Sequence, residues 1–359
     1  MQRALVSSML PVMALALAAC PGSYKGPAGP TGGGGSGGVG PVKGVADAAL
    51  PYAIVDGRTG KAVSDGELWQ RLGDARAVCV GEEHPNPHHH WAQLAIVTAA
   101  TEKIPAKRLG LGMEMVQSPF QGVVDDWSAQ KIDEAAFLSR TGWADRWGYD
   151  FGLYRPILER ARVSGMALIA LNAPRELVRA VSRKGVDGLS ADERAKLPPL
   201  VLDDAQHRAW FDKVMEEMEE GHGGHGHGHG SGDAGDGAGD GKTGDGKTGD
   251  GETGTGTGTG APPTAPPMPS MENIYAAQVV WDESMAEGAR RWLGAGGDTI
   301  FIIAGNGHCH DSAIVRRLDR RGGGPAVSIR PIIDDGEGNV AAALAEGSND
   351  YLFVMTMPK

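Results

Sequence analysis

Six short apolar runs stand out along the chain, each closed by glycine or another turn-forming residue. They cover residues 77–81 (AVCVG), 109–115 (LGLGMEM), 166–171 (MALIAL), 299–304 (TIFIIA), 326–333 (AVSIRPII) and 351–355 (YLFVM). They are almost continuously hydrophobic rather than alternating, as strands buried on both faces are. Amphipathic patterns over 89–101, 154–164 and 174–183 predict helices between them. At "LNAPRELVRAV" a strand ends, Asn172 or Ala173 caps, and Pro174 opens a helix. Strands alternating with helices in this way predict an α/β fold, with a mainly parallel central sheet flanked by helices in a single domain.

Two stretches break the pattern. Residues 21–45 (PGSYKGPAGPTGGGGSGGVGPVKGV) are little but Gly and Pro and read as a flexible tether, with folded sequence beginning near Leu50. Residues 221–270 run from "GHGGHGHGHG" through Gly/Asp/Lys/Thr repeats to "APPTAPPMPS", low complexity with no packing face. Helical patterns precede (203–220) and follow it (271–293). The expectation is one domain over 46–359, interrupted by a disordered His/Gly/Pro-rich insertion.

Composition narrows the function classes. Among 359 residues the formal net charge is −11, which argues against a nucleic-acid partner, since that requires a basic face. Three cysteines are too few for a disulfide scaffold. One has its own explanation: residues 1–20, MQRALVSSMLPVMALALAAC, have Arg3, an apolar run too short to span a bilayer, and a terminal Leu-Ala-Ala-Cys. This reads as a secretory signal peptide whose Leu-Ala-Ala-Cys looks like a lipobox, with Cys20 as the lipidated residue; ordinary cleavage after a small-residue pair would export the chain without the anchor. The chain is thus expected to be exported and lipid-anchored to a bacterial membrane, at the periplasmic face or outer membrane. Cys79 reads as a buried strand residue. Cys309 reads as a buried thiol in preference to a soft metal ligand.

Ligands of open parallel sheets bind beyond the carboxyl ends of the strands. Two such ends carry Gly-x-x-His: "GEEH", placing Glu82, Glu83 and His84, and "GNGH", placing His308. Their glycines allow a sharp exit from the strand, so motifs more than two hundred residues apart can meet. In "LGLGMEM", Gly110, Gly112 and Glu114 share one face, and a carboxylate there needs a cation or donors. The glycines beside it leave room for a ligand. Glu82, His84, Glu114 and His308 together suit Zn, Mn or Fe with open coordination positions. A hydrogen-bonded polar cluster that only stabilises loops is the alternative.

The ordered set "GEEHPNPHHHWAQ", "LGMEM", "ALIALNAPRELVRAV", "YAAQVVWDESMAEGA" and "IIAGNGH" resembles the ChaN-like haem-binding lipoproteins of bacteria. These share a superfamily with Tiki proteases, TraB proteins and erythromycin esterases. The resemblance covers about 70–355 without the insertion, and implies an α/β domain, membrane attachment and a role in haem or iron uptake. It places Glu82, His84, Glu114 and His308 at candidate metal or active-site positions, and His89, His90 and Gln93 in a characteristic His-His-x-x-Gln. Glu83 and His88 fall outside the pattern, and Pro85 replaces the acidic residue common there. On the 271–293 helix, Ile274, Ala277, Trp281 and Met285 form an apolar stripe beside a polar one of Tyr275, Gln278 and Asp282. The resemblance makes Tyr275 a candidate axial ligand for ferric haem, with His89 and His90 as further haem contacts. Haem would dock over the strand ends, in one subunit or between the two of a homodimer. The rival expectation is a metal-dependent hydrolase, with Glu82 or Glu114 as general base beside a metal-bound water. The run of His222, His225, His227 and His229 reads either as a loose metal collector or as a neutral linker.

Overall fold

A computed structural model describes residues 44–104, 108–223 and 268–358. The predicted signal peptide with Cys20, nearly all of the tether, and His225, His227 and His229 of the insertion lie outside these residues. The chain divides into two compact units, Met1–Phe211 with Pro269–Lys359, and Asp212–Met268. The first holds the sheet.

The strands are β1 (Tyr52–Asp56), β2 (Ala62–Val63), β3 (Ala77–Val80), β4 (Leu109–Gln117), β5 (Ala167–Asn172), β6 (Thr299–Ile303), β7 (Ala326–Asp334) and β8 (Tyr351–Thr356). The α-helices are α1 (Asp65–Asp74), α2 (Pro87–Lys103), α3 (Gln121–Ser128), α4 (Glu134–Thr141), α5 (Trp143–Arg146), α6 (Phe151–Val163), α7 (Arg175–Lys184), α8 (Ala191–Arg194), α9 (Ala205–Gly223), α10 (Met271–Gly294), α11 (Arg316–Arg320) and α12 (Asn339–Glu346). The eight-stranded sheet has the order β2-β1-β8-β7-β3-β6-β4-β5. Every pairing from β8 to β5 is parallel, and β1 pairs antiparallel with both β2 and β8.

The six apolar runs are the six parallel strands, and their composition follows from burial on both faces. Val78, Val80, Phe301, Ile303, Leu111 and Met113 pack on one side with Leu72, Val97 and Tyr154 of α1, α2 and α6. Cys79, Ile300, Ile302, Ile169 and Leu171 pack on the other with Met285, Ala289 and Leu293 of α10 and Leu318 of α11. The antiparallel strands β1 and β2 escape the pattern because Tyr52 and Ala53 are exposed and β2 is two residues long. Helix α2 begins at Pro87, with the Asn86 side chain accepting from the His88 N–H. Helix α7 begins at Arg175, so Pro174 takes the capping position itself, and α9 runs on to Gly223.

Gly110 and Gly112 make no room for a ligand. A Cβ on Gly112 would lie 2.4 Å from Leu171 Cδ1, and one on Gly110 would lie 2.9 Å from both Ile169 and Trp292. The glycines admit the close packing of β5 and α10 on β4. Register places the site instead: Val80 lies opposite Ile303 and Ile329, and Met113 opposite Ile303. Gly81, Ala304 and Glu114 therefore leave these pairings at one level. The β4–β5 register shifts between Met113 and Gln117, and such irregularity re-aims the side chains around Glu114.

Candidate functional site

The two Gly-x-x-His motifs meet. Asn306 N–H donates to the Glu82 carbonyl at 2.8 Å, and Gly305 N–H donates to Glu114 Oε2 at 2.7 Å. A Cβ on Gly81 would lie 2.1 Å from Asn306 Oδ1, so any larger residue at 81 would have to push that side chain aside.

Glu82 is fully buried and organises the first half of the site. Its Oε1 accepts from His84 Nδ1–H at 2.7 Å and from the Tyr154 hydroxyl at 2.9 Å. Its Oε2 lies 3.2 Å from His90 Nδ1, close enough for charge attraction but out of line for a hydrogen bond. Burial alone would raise the Glu82 pKa; the charges and hydrogen bonds of His90 and His84 overcome this and hold it below the ordinary carboxylate range. Burial would likewise depress His90, but Glu82 raises it on balance. His90 Nε2–H donates to the His84 carbonyl at 2.7 Å and Nδ1 approaches Gln93 Oε1 at 3.3 Å, while Gln93 Nε2 donates to the Val80 and Gly81 carbonyls at 3.2 and 3.3 Å. The His-His-x-x-Gln motif is thus a clamp from the first turns of α2 onto the end of β3, in which His90 meets Gln93. His89 Nδ1 accepts from Glu83 N–H at 3.0 Å, and burial pushes its pKa down to about 3.

The second half is a line of alternating charge. Glu114 Oε1 lies 3.4 Å from His308 Nε2, and His308 Nδ1–H donates to Asp282 Oδ1 at 2.6 Å. Asp282 Oδ2 lies 3.0 Å from His207 Nε2 and 3.8 Å from the Arg317 guanidinium. His207 Nδ1 and the Tyr275 hydroxyl are 3.2 Å apart. Burial would depress His308, but Glu114 and Asp282 raise its pKa to about 10. Burial would raise Asp282 and Glu114; Arg317 with the histidines holds the former low, and His308 the latter. His84 is among the charges that lower Glu114, so the halves act on each other. Tyr275 is buried, with its pKa pushed up to about 12 chiefly by that burial.

Glu82, His84, Glu114 and His308 therefore converge at the strand ends, yet their oxygens and nitrogens are largely spent on one another. Among the described residues, no group of three or more His, Cys, Asp or Glu is arranged to hold a metal ion. The expected Zn, Mn or Fe centre gains no support: each carboxylate already faces an imidazole, a hydroxyl or a backbone N–H. The cysteines also depart from expectation, because Cys79 and Cys309 form a disulfide with Cα atoms 5.2 Å apart. Neither is a thiol, and Cys309 is not a metal ligand. The partners lie 230 residues apart in sequence and become neighbours only because β3 and β6 pair. His88 Nδ1–H donates to the Ala48 carbonyl at 2.7 Å, and Glu83 is half-buried.

Sequence reasoning did not single out Tyr154, His207 or Arg317, nor the Trp147 and Tyr149 rings 4.8 and 4.9 Å from that of His84. His207 stands four residues before Phe211, both fully buried, and that helical spacing was its one available signal.

A curated plant relative, Protein RETICULATA-RELATED 5, chloroplastic, of Arabidopsis thaliana, is 28% identical over 138 residues. That match spans 37% of this chain and only 18% of the relative. The solved structure titled as cofacial heme binding to ChaN of Campylobacter jejuni is similar in fold, with a TM-score of 0.56 at 12% identity. The likeness covers 85% of this chain and 96% of that one. A family model described as haem-binding uptake, Tiki superfamily, ChaN, matches residues 68–318, which include both Gly-x-x-His motifs and the whole line of charge between them. By that match this chain belongs to the ChaN haem-binding family of the Tiki superfamily.

Proposed function

We propose that this protein is an exported, lipid-anchored haem binder acting in haem or iron uptake. The observation that carries the reading is the family match, because it runs unbroken across both halves of the site. The donor set suits a haem better than a bare divalent ion. Ionised groups neutralise one another inside, while the His84 imidazole, packed beside the Trp147 and Tyr149 rings, offers aromatic surface and a nitrogen donor. His89 and His90 would act by fixing the loop against which haem rests. Tyr275 would have to give up its contact with His207 to reach iron.

Export rests on two features. The Leu-Ala-Ala-Cys ending of residues 1–20 proposes Cys20 as the lipid attachment point, and the Cys79–Cys309 disulfide suits an oxidising compartment. The pairing leaves Cys20 as the remaining cysteine of three. Two such chains sandwiching haem is the homodimer this reading includes.

One observation favours a second reading. Two carboxylate–imidazole pairs, Glu82–His84 and Glu114–His308, stand together at the strand ends, the kind of groups a general acid–base hydrolase uses. Titration of the purified protein with haemin separates the two. A haem carrier gives a saturable shift of the Soret band, and light scattering of the complex reports any dimer. No saturable shift, together with ester or amide turnover abolished by Glu82→Gln, overturns the haem reading.

A further inference from the structure

The first described residues are seated on the domain before any strand begins. Val45, Ala48 and Leu50 are buried, and His88 Nδ1–H donates to the Ala48 carbonyl. His88, which the candidate site does not use, thus fastens the chain where it enters the fold. A few residues on, β1 opens with Tyr52, which is 44% exposed. Its ring stacks on that of Phe353 with centroids 4.3 Å apart, and the half-buried Trp91 ring lies 6.1 Å from both. Thr356 N–H donates to the Pro51 carbonyl at 2.9 Å, which sets Met357, 37% exposed, beside the start of β1. Tyr52, Trp91 and Met357 therefore form an apolar corner at the point where the Gly/Pro-rich sequence leading back to Cys20 joins the domain.

Register puts this corner at the same end of the sheet as the candidate site. Val80, just before the Glu82 loop, lies opposite Ile329. From there β7 runs on to Ile333, opposite Met355, which is itself opposite Tyr52. The corner therefore stands beyond the level at which the Glu82 loop leaves the sheet. Tyrosine and tryptophan suit the boundary between water and hydrocarbon, because each joins an apolar ring to one polar atom. The Tyr52 hydroxyl donates to Asp65 at 3.2 Å, while Trp91 Nε1 has no hydrogen-bond partner among the described residues and is not sealed from solvent. The charge beside the corner is the Asp65 carboxylate, so burial of rings rather than attraction to anionic lipid has to supply the affinity. A weak affinity is enough once an acyl anchor holds the domain near a bilayer. A Gly-rich chain as long as residues 20–44 spans roughly 27 Å root-mean-square. A linker of that reach presents the second contact at an effective concentration of about millimolar order.

We infer that the corner formed by Tyr52, Trp91 and Met357 docks into the headgroup region of a zwitterionic lipid bilayer and turns the strand-end site toward the membrane. The inference rests on the lipid anchor proposed above and goes beyond it by assigning the face that meets lipid. Its test uses the full lipidated chain in phosphatidylcholine vesicles whose acyl chains carry bromine, which quenches nearby tryptophan. Part of the protein fluorescence should be quenched, Trp91→Phe should remove most of that part, and high salt should leave it unchanged. In the Trp91→Phe background, Met357→Trp should restore the quenching. Lys61→Trp, in the turn after β1 at the opposite end of the sheet, should not. Tyr52→Ser combined with Met357→Ser should lose the quenching yet still float with the vesicles, since the acyl anchor is intact. Equal quenching of the Met357→Trp and Lys61→Trp proteins overturns the inference, because the domain then presents no particular face to lipid. A dimer that Tyr52→Ser with Met357→Ser dissociates, with Trp91 unquenched, overturns it as well, because a second copy then covers the corner. Absence of acyl chains on the Cys20 peptide by mass spectrometry removes the anchor reading and the inference with it, a result distinguishable from either.

Discussion

Asp282 is the residue on which the inner line of charge depends. It is fully buried, and it faces His308, His207 and Arg317 at once. Removing one partner of a buried ion pair leaves the other's charge uncompensated, at a cost of about 3–5 kcal/mol. Asp282→Asn should destabilise the protein by about that amount in urea unfolding. It should also bring the His308 pKa down from about 10, as followed by imidazole NMR resonances. The sign of the pH dependence follows. A histidine raised from 6.5 to about 10 contributes stability that is whole below 6.5 and lost as pH rises through about 10. Glu82, Glu114 and Asp282 are held low, so their contribution is present above the ordinary carboxylate range and lost as pH falls below it. Melting temperature should therefore be highest in mildly acidic solution, between the carboxylate range and about 6.5, and fall on both sides. In Asp282→Asn the alkaline fall should still begin near 6.5 but end at lower pH and be smaller in total. An alkaline limb unchanged by the substitution would refute the coupling.

At the scale of elements, what could be read in advance was what burial alone determines. Six strands covered on both faces have no polar side to show, so their runs of Val, Ile and Leu were legible, as were the helices between them. β1 and β2 were not, since an antiparallel edge with exposed Tyr52 and Ala53 carries no such run. The two Gly-x-x-His motifs were legible as a pair because each follows a buried strand. Their partners were not: Tyr154 and His207 come from α6 and α9, and only tertiary packing brings them to Glu82 and Asp282. Glycine was legible as a need for space but not as to what fills it, and Gly112 is filled by Leu171. Gly81 offers a sharper test, because the intruding atom belongs to the other motif. Gly81→Ala should force Asn306 aside and cost about 1–3 kcal/mol of stability. Gly81→Ala combined with Asn306→Gly should recover most of that loss, since the second change removes the obstructing side chain. Additive losses in the double-mutant cycle would show that the Asn306 side chain is not what obstructs a residue larger than glycine at 81.

Over the whole molecule, one covalent link joins what the sheet has brought together. Cys79 lies within β3, two residues before Gly81, and Cys309 follows His308, so the disulfide fastens the two motifs to each other. It closes a loop of 230 residues, which the chain-entropy estimate converts to about 5 kcal/mol, while native bridges typically contribute about 2–4 kcal/mol. Both cysteines are 1% exposed, so a reductant reaches the bond only after the core opens. Three results should follow. Mild dithiothreitol should leave the native protein with no new reactive thiols. The same treatment in urea should release two, and the reduced chain should refold to a state about 2–5 kcal/mol less stable. The variant Cys79→Ala with Cys309→Ala should match the reduced protein in stability and bind haemin more weakly, because its His84 and His308 loops are held only by hydrogen bonds. Two thiols titrating in the untreated native protein would refute the bridge. A bridge present but without effect on haemin binding would confine it to stability and separate it from the site it adjoins.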